Sequence, residues 1–503
     1  MAGHIIYQKQ RGIEYARFVV STRKGDQVLK DVTNLGRVLD RNAHVFKSRD
    51  RGIFTFDPET RTYGRPPSSF VDTTVRKNGR EQLILDFGDA YFFECLLRKF
   101  GLMPAIGAIG YGNPDSLVCM ILYYVISSMS NSHAADWYEG SFARILHPLA
   151  NLTSQRISDL LESVGGEGSM RRFFMEYLRL VAGRQDGTEI LIDSTGLPNG
   201  IHFPLTAIST HNGQTSSEAR LIYVVQQRTN MPLYFRYVTG SVVDVSTLVT
   251  TMRELKAHGV NTRFAILDAG YLSDANIIDL CAAKVSFVSR LRHGSVLMKR
   301  AMEEHLDKLV SMGNAVSYNG RLAFVKCLPV TLDSRGDTGY LYLCCDLTMK
   351  AVCTIDLIRK EMDAKSGAGK EAVLKKLDGL GIFGLVSTRK IGADRVLPTY
   401  YMRQQIEQVF DVGKNYAGLL PLNVEREETF RGHLLIAFIA AIVVKRLQDE
   451  LKDTKLTPLD AVSCLRNQKC KVFDHVVIPG EPTSKARELY RLMEIDYPVE
   501  IIR

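Results

Sequence analysis

Downstream of Thr188, short runs of Ile, Leu, Val and Tyr alternate with stretches whose apolar residues recur every three or four positions. The first texture predicts strands and the second predicts helices. Glu189–Asp193 is a short apolar strand ending in an acid. Arg220–Gln227 and Leu233–Thr239 flank Arg228-Thr229-Asn230-Met231-Pro232 and read as a hairpin. Ser246–His258 has helical periodicity and stops before Gly259, and Arg263–Asp268 is another strand ending in Asp. Ser273 caps a helix through Ala283, and Ser286–Arg290 is a further strand. Strand, hairpin, helix, strand, helix, strand predicts a mixed α/β sheet with helical crossovers.

Around this core the pattern changes. The first stretch mixes short β-like runs with basic residues, among them Arg37, Arg41, Lys47 and Arg51. Helical patterns follow at Tyr91–Phe100 and Leu117–Ser127. A pair, Thr153–Val164 and Ser169–Val181, is joined by Gly165-Gly166-Glu167-Gly168. The pair resembles a helix-turn-helix with Arg156, Arg171 and Arg172 as its basic residues; two packed surface helices fit the pattern equally well. From His293 to Lys390 β-like runs (Leu322–Pro329, Gly339–Leu347), a charged helical run around Thr354–Lys365 and a Ser366-Gly367-Ala368-Gly369 break suggest an inserted subdomain. Pro398–Ala417, with Pro398 in its first turn, and His433–Leu451 are helices again. The expected division is 1–80 basic and β-containing, 81–187 helical, and 188–292 the first part of the mixed-sheet domain. Then come 293–390 as a β-rich insertion, 391–453 as the second part of that domain, and 454–503 as a C-terminal extension.

At 503 residues, 45% hydrophobic and 24% charged, the composition is that of a globular protein and excludes collagenous, coiled-coil and disordered classes. The net charge of +9 suits a polyanionic partner but also many enzymes. The apolar runs Leu117–Ile126 and Leu434–Val444 are well short of the ~20 residues that span a bilayer. The start of the chain has no signal-peptide pattern, and the nine cysteines form no Cys-x-x-Cys pair. The expectation is a cytoplasmic protein with reduced cysteines and no membrane partner.

Two acids stand out because each ends an apolar strand: Asp193 after Ile190-Leu191-Ile192, and Asp268 after Phe264-Ala265-Ile266-Leu267. Strand ends at a sheet rim are where open α/β folds place their sites, although Asp also commonly begins turns. Tyr400, Arg403, Glu407 and Lys414 are spaced by three, four and seven. On a continuous helix at ~100° per residue they fall within roughly 60° of arc. Ile406, Val409, Phe410 and Gly413 take the opposite face, free to pack on the sheet. Taken alone, the polar stripe also fits a solvated face with an Arg403–Glu407 pair. Asp411 points further round and is expected to support or pair with a cation. Asp274 reads as a first-turn residue, and Glu425, Glu427 and Glu428 as loop acids after Pro421. Cys119 and Cys281 read as core residues.

Three motifs together resemble the DDE transposases of bacterial insertion sequences, in the insertion-sequence-four superfamily. They are Ile192-Asp193-Ser194-Thr195, Leu267-Asp268-Ala269-Gly270-Tyr271 and Tyr400-x2-Arg403-x3-Glu407-x6-Lys414. The interval from Asp268 to Glu407 is nearly twice that from Asp193 to Asp268, which fits that family's β-rich insertion before its last catalytic acid. The resemblance implies a ribonuclease-H-like mixed sheet with flanking helices, preceded by a mostly helical DNA-binding region. It makes Asp193, Asp268 and Glu407 the catalytic acids and the ligands of two Mg²⁺ ions, for which Mn²⁺ can substitute. Tyr400, Arg403 and Lys414 become phosphate-binding residues, and Arg156, Arg171 and Arg172 candidate DNA contacts. The implied reaction is metal-dependent cleavage at transposon ends and transfer of the 3′-OH ends into target DNA by a homodimer, at the nucleoid in the cytoplasm. Two alternatives stay open: a non-catalytic DNA-binding descendant, and a nuclease of the same fold that joins nothing. The sole Trp, Trp137, lies outside the insertion, where hairpin-forming members use a Trp to hold a flipped base. Phe324, Tyr340 or Tyr342 would stack in its place or simply pack the sheet.

Overall fold

The computed structural model describes residues 3–10, 12–24, 27–48, 51–66, 83–182, 188–199, 203–211, 214–240, 247–363, 377, 379–415, 419–420, 422 and 424–502. They fall into two units, Met1–Tyr177 with Val412–Arg503, and Leu178–Asp411.

In the first unit, alternating apolar positions build a six-stranded antiparallel meander. Its strands are β1 (Gly3–Gln10), β2 (Ile13–Lys24), β3 (Gln27–Asp40), β4 (Val45–Ser48), β5 (Gly52–Asp57) and β6 (Thr62–Gly64), in sequential order. One face buries Ala16, Phe18, Leu35, Phe46, Phe54 and Phe56, with Leu149 packed against them. Arg17 pairs with Asn34 and Ala16 with Gly36, so Leu35 is an extra, bulged residue. Gly36 adopts φ +88°, and a Cβ there would lie 2.3 Å from the Lys47 carbonyl oxygen. The bulge resets the alternation and turns Arg37 away from the face that buries Leu35. A short strand, β7 (Leu83–Asp86), precedes the helices.

The second unit is organised by one ten-stranded sheet. Its strands are β8 (Thr188–Pro198), β9 (Ala207–His211), β10 (Gln214–Gln226), β11 (Pro232–Thr239), β12 (Thr262–Leu267), β13 (Ser286–Arg290), β14 (Ala315–Tyr318), β15 (Arg321–Thr331), β16 (Thr338–Asp346) and β17 (Ile382–Ser387). The spatial order is β11-β10-β8-β12-β13-β17-β16-β15-β14, with β9 on β10. β8, β10 and β11 pair antiparallel, whereas β8, β12 and β13 run parallel. The parallel strands are reached through helices Leu248–Ala257 and Asp274–Ala282. This is the mixed sheet with helical crossovers that the pattern predicts. Ile190–Ile192, Leu221–Val225 and Phe264–Leu267 are wholly or almost wholly buried, as central strands covered on both faces must be.

The stretch 293–390 forms no sheet of its own. β14, β15 and β16 continue the same sheet through β17, which pairs antiparallel with β13 and so covers an edge that would otherwise stand open. Its charged run is the helix Leu347–Asp363, and the Ser366–Gly369 break lies outside the described residues. Tyr342 is fully buried, and its hydroxyl donates to Ile391 O at 2.9 Å and accepts from Ile391 N at 2.6 Å. That side chain packs the sheet. Phe324 and Tyr340 are half-buried.

The rest of the first unit surrounds the helix Glu427–Leu451, whose residues Leu434–Val444 are buried on every side. Helices Ser154–Val164 and Glu167–Ala182 pack on it: Phe173, Phe174 and Tyr177 meet Phe438 with centroids 5.5–6.4 Å apart. The helix pair is thus a packed one. Its contact with the central helix depends on missing side chains. A Cβ on Gly432 would lie 1.9 Å from Leu161 O, and one on Gly165 1.8 Å from Glu428 O. Glu427 and Glu428 stand in the first turn of the central helix, not in a loop, where they favour the helix's positive end. Pro421 lies outside the described residues. β18 (Lys469–Val472), β19 (Val476–Pro479) and β20 (Ile501–Ile502) join β7 in a four-stranded sheet, order β20-β19-β18-β7. Among the described residues no helix is long and apolar enough to cross a membrane. All nine cysteines are free.

Two predictions follow from this packing. Gly432→Ala forces a methyl group into backbone and should lower the melting temperature by the equivalent of about 1–3 kcal/mol, the usual cost of overpacking; an unchanged melting temperature contradicts the close approach. His147 lies between Glu94 (Nε2 to Oε2 3.2 Å) and Asp115 (Nδ1 to Oδ1 3.5 Å). Burial alone would lower its pKa, but the two carboxylates raise it to about 9. A raised histidine pKa stabilises the fold fully below the unfolded value near ~6.5, and that contribution fades as pH rises through the folded value. Melting curves from pH 6 to 10 should therefore fall more steeply for the wild type than for His147→Gln.

Candidate functional site

The site is built by register. β8 and β12 pair in parallel through Ile192↔Leu267, and β12 and β13 through Leu267↔Ser289. One residue further along, Asp193, Asp268 and Arg290 follow at the same level on three neighbouring strands, roughly 4.8 Å apart by strand spacing. In-register neighbours share a face of the sheet, so both carboxylates project together. Asp193 is not at a strand end: β8 continues to Pro198 because Asp193–Pro198 pairs antiparallel with Tyr223–Glu218 of β10. What ends at Ile192 is the parallel pairing with β12, and Asp193 marks that fork. Asp268 leaves β12 and leads into the 3₁₀ turn Ala269–Tyr271, while Ser289 Oγ donates to its carbonyl at 3.2 Å.

Two carboxylates at strand spacing repel one another, and Arg403 answers them. Its Nη1 donates to Asp193 Oδ2 at 2.6 Å, and its Nη2 lies 3.7 Å from Asp268 Oδ1. Ser194 N donates to Asp193 Oδ1 at 2.9 Å. Burial would lower the Arg403 pKa, but Asp193, Asp268, Tyr400 and Glu407 together hold it above its ordinary value. Glu407 therefore acts on the same guanidinium as the two aspartates. Tyr400 is buried, with its ring centroid 5.9 Å from Arg403 Cζ, and burial first of all pushes its hydroxyl up to about 12.

The signature residues do not share one continuous helix. Helix Ala393–Tyr401 carries Tyr400, and helix Gln404–Asn415 carries Glu407 and Lys414. Between them a tight turn, with Arg403 N bonded to Tyr400 O at 3.1 Å and Ile406 N to Arg403 O at 3.0 Å, breaks the run. Arg403 stands in that turn, which aims it along the sheet rim. Pro398 lies inside the first helix, not in a first turn; its missing N–H and its ring interfere with the preceding turn. Ile406, Val409 and Phe410 form the buried face, as their spacing predicts. Phe410 stacks on Tyr223 at 5.2 Å and 16°, and Tyr223 is the cross-strand partner of Asp193. That stack seats the Glu407 helix on the face from which Asp193 projects. Glu407 is exposed, and Lys414 follows two turns later in the same helix.

Other sequence candidates fall elsewhere. Asp411 is exposed and makes no ion pair among the described residues. Asp274 is a first-turn residue whose carboxylate accepts from Ser334 N at 2.8 Å and Ser334 Oγ at 2.6 Å. Cys119 is core, but Cys281 is only half-buried and lies with Asp333 and Asp337, their ligand atoms within 4.8 Å of one another. Arg172 donates to Ala108 O at 2.9 Å and Ile109 O at 2.7 Å, and Arg156 to Asp159 at 2.8 Å. Arg171 is exposed. Sequence reasoning missed Arg290, which with Asp268, Arg292, His293 and Phe383 lines a cavity of about 330 Å³. Its signal was its place, the last residue of a strand next to one that ends in a selected acid.

The family model described as the transposase DDE domain matches residues 184–443, just over half of the chain. The chain belongs to the DDE transposase family. It is a DNA transposase, an enzyme of a family that works with divalent metal ions on DNA. None of the curated proteins compared matches it. Among solved structures, a piggyBac transposase in a synaptic complex with hairpin DNA gives a TM-score of 0.41 at 12% identity, covering 77% of this chain and 82% of that one.

Removing Arg403 tests the electrostatic account of this transposase's site. Exposed pairs are worth up to ~1 kcal/mol, and breaking a buried pair costs ~3–5 kcal/mol. Arg403→Ala should therefore cost about 2 kcal/mol in EDTA. Added Mg²⁺ should raise the melting temperature more for the variant than for the wild type, where the cation competes with a guanidinium. Equal Mg²⁺ effects in the two proteins would contradict this.

Proposed function

We propose that Asp193, Asp268 and Glu407 are the catalytic acids and hold two divalent cations, Mg²⁺ with Mn²⁺ as substitute, while this transposase cuts its transposon ends and joins the freed 3′-OH ends to target DNA. The observation that carries this reading is the cation already between the first two acids: the Arg403 guanidinium bridges Asp193 and Asp268. The donors suit hard divalent ions, since all three are carboxylates and Mg²⁺ prefers oxygen ligands from a few acids. When bound, such a pair of ions activates the attacking oxygen and neutralises the departing one.

The chain's own residues do the positioning. Asp193 and Asp268 are fixed by strand register, and Glu407 by the packing of its helix on the sheet. Arg403 neutralises the acids without metal and offers a planar fork for a phosphate. Tyr400 backs Arg403, and Lys414 supplies a point charge from the same helix as Glu407. The DNA partners are the transposon ends and the target, with Arg171 among the contacts to the ends. A homodimer pairs the two ends, and the protein works at the nucleoid in the cytoplasm.

Single-turnover cleavage of a labelled end fragment with Mg²⁺, beside a gel-shift titration, tests the assignment. Glu407→Gln should lose more than ~100-fold in cleavage while binding DNA like the wild type. Lys414→Ala keeps the acids and should lose about tenfold, the worth of one charge-assisted contact, and less at low salt. A Glu407→Gln protein that cuts normally removes Glu407 from the site.

A further inference from the structure

The strands of the stretch 293–390 do more than lengthen the sheet. Two of their tyrosines reach the helix Ala393–Tyr401, one at each end. At its start, the Tyr342 hydroxyl of β16 donates to Ile391 O at 2.9 Å and accepts from Ile391 N at 2.6 Å, just ahead of the first helical residue. At its end, Tyr318 of β14 stacks on Tyr401, with centroids 5.6 Å apart and rings 5° from parallel.

Tyr318 is itself held in place. Asn319 and Gly320 have φ of 46° and 73°, so β14 and β15 are joined by the tight turn that Asn-Gly favours and that matches strand twist. That turn pairs Tyr318 with Arg321. The Tyr318 hydroxyl donates to Asp346 Oδ2, and Arg321 Nη1 lies 3.8 Å from the same oxygen. Asp346 is fully buried, and its Oδ1 accepts from Met349 N at 2.9 Å. A buried carboxylate is costly without such donors, so Asp346 fixes the phenol. Burial, and then Asp346, hold the Tyr318 hydroxyl above its ordinary pKa, which keeps it a donor.

The constraint leads to Arg403. Tyr400 and Tyr401 project ~100° apart round the helix, and their rings meet edge-on at 5.6 Å and 66°. Holding Tyr401 therefore holds the rotation of the last turn and the direction of Tyr400. The Tyr400 ring lies 5.9 Å from Arg403 Cζ, and its carbonyl accepts from Arg403 N at 3.1 Å. From that turn the guanidinium bridges Asp193 and Asp268.

We infer that Tyr318 and Tyr342 are positioning residues for strand cleavage, which fix the two ends of this helix and thereby aim Arg403 at the acids. The inference rests on the reading of Asp193, Asp268 and Glu407 as the metal-binding acids. Loosening either end lets the guanidinium leave the aspartates. Metal then binds more readily, because the population open to it grows, while the phosphate loses its aimed fork. Slower cleavage with a lower Mg²⁺ requirement is a combination that loss of stability alone does not produce.

The test is single-turnover cleavage of a labelled end fragment at saturating DNA across a Mg²⁺ series, with melting temperatures read on the same proteins. Tyr318→Ala should slow the maximal rate about tenfold, the worth of one charge-assisted contact, and lower the half-maximal Mg²⁺ concentration about threefold. Tyr318→Phe keeps the stack and should hold both within about twofold of the wild type, although it leaves Asp346 short of a donor and melts earlier. Tyr342→Phe removes only the hydroxyl at the other end and should move both quantities as Tyr318→Ala does, which keeps the test decisive if Tyr318→Ala folds poorly. In an Arg403→Ala protein, Tyr318→Ala should add less than about twofold to either, since residues acting through one another are not additive. Gly432→Ala lowers the melting temperature from the first unit and should leave the half-maximal Mg²⁺ concentration unchanged. Stabilisation by Mg²⁺, measured without DNA, separates this claim from the catalytic reading. Tyr318→Ala should enlarge it as Arg403→Ala does, and a Glu407→Gln protein that cuts normally would leave that result standing. An unshifted Mg²⁺ half-point in both Tyr318→Ala and Tyr342→Phe, an additive loss in the Arg403→Ala background, or the same shift in Gly432→Ala would each overturn the inference.

Discussion

The arrangement of the catalytic half depends on two negative charges held side by side. Parallel pairing of β8 with β12 fixes Asp193 and Asp268 at strand spacing on one face, and the repulsion of that geometry is relieved here by a cation. Arg403 supplies it. The tight turn between the two helices aims the guanidinium, and the Phe410–Tyr223 stack holds the following helix on the sheet. The same arrangement brings Glu407 into the field of the same arginine. Repulsion between acids is costly in a purely structural sheet; on the proposed reading it is what draws metal to the position.

Much of this was legible in the sequence because it is local. Short apolar runs gave the strands, the five-residue turn after Gln227 gave the hairpin, and spacing gave the buried face Ile406, Val409, Phe410. What escaped is non-local. Asp193 reads as a strand end because the apolar run stops there, yet Ser194–Pro198 stays extended by pairing with β10, a partner that no local pattern displays. The signature reads as one helix since its spacing is helical throughout, whereas the chain breaks at Met402–Arg403, where Arg403 reaches Asp193 and Asp268. The insertion reads as a separate subdomain because its sequence is continuous and β-rich; only the pairing of β17 with β13 shows that it extends the parent sheet.

The first unit shows the same division. Its central helix is evident from the run Leu434–Val444, but that Gly165 and Gly432 let another helix approach it closely is not displayed by any local pattern. The helix pair proves to lean its aromatic side chains on that helix, and Arg172 spends its guanidinium on the end of a neighbouring helix. In the meander a single bulged residue decides whether Arg37 faces the core or the solvent.

The central claim is that Asp193, Asp268 and Glu407 form one divalent-cation site. The most direct measurement replaces Mg²⁺ with Fe²⁺ and maps where locally generated hydroxyl radicals cut the polypeptide. The account predicts cuts in three separated segments, around Asp193, Asp268 and Glu407, all suppressed together by excess Mg²⁺. Cuts confined to the segments around Cys281, Asp333 and Asp337, with the three acids spared, would contradict it.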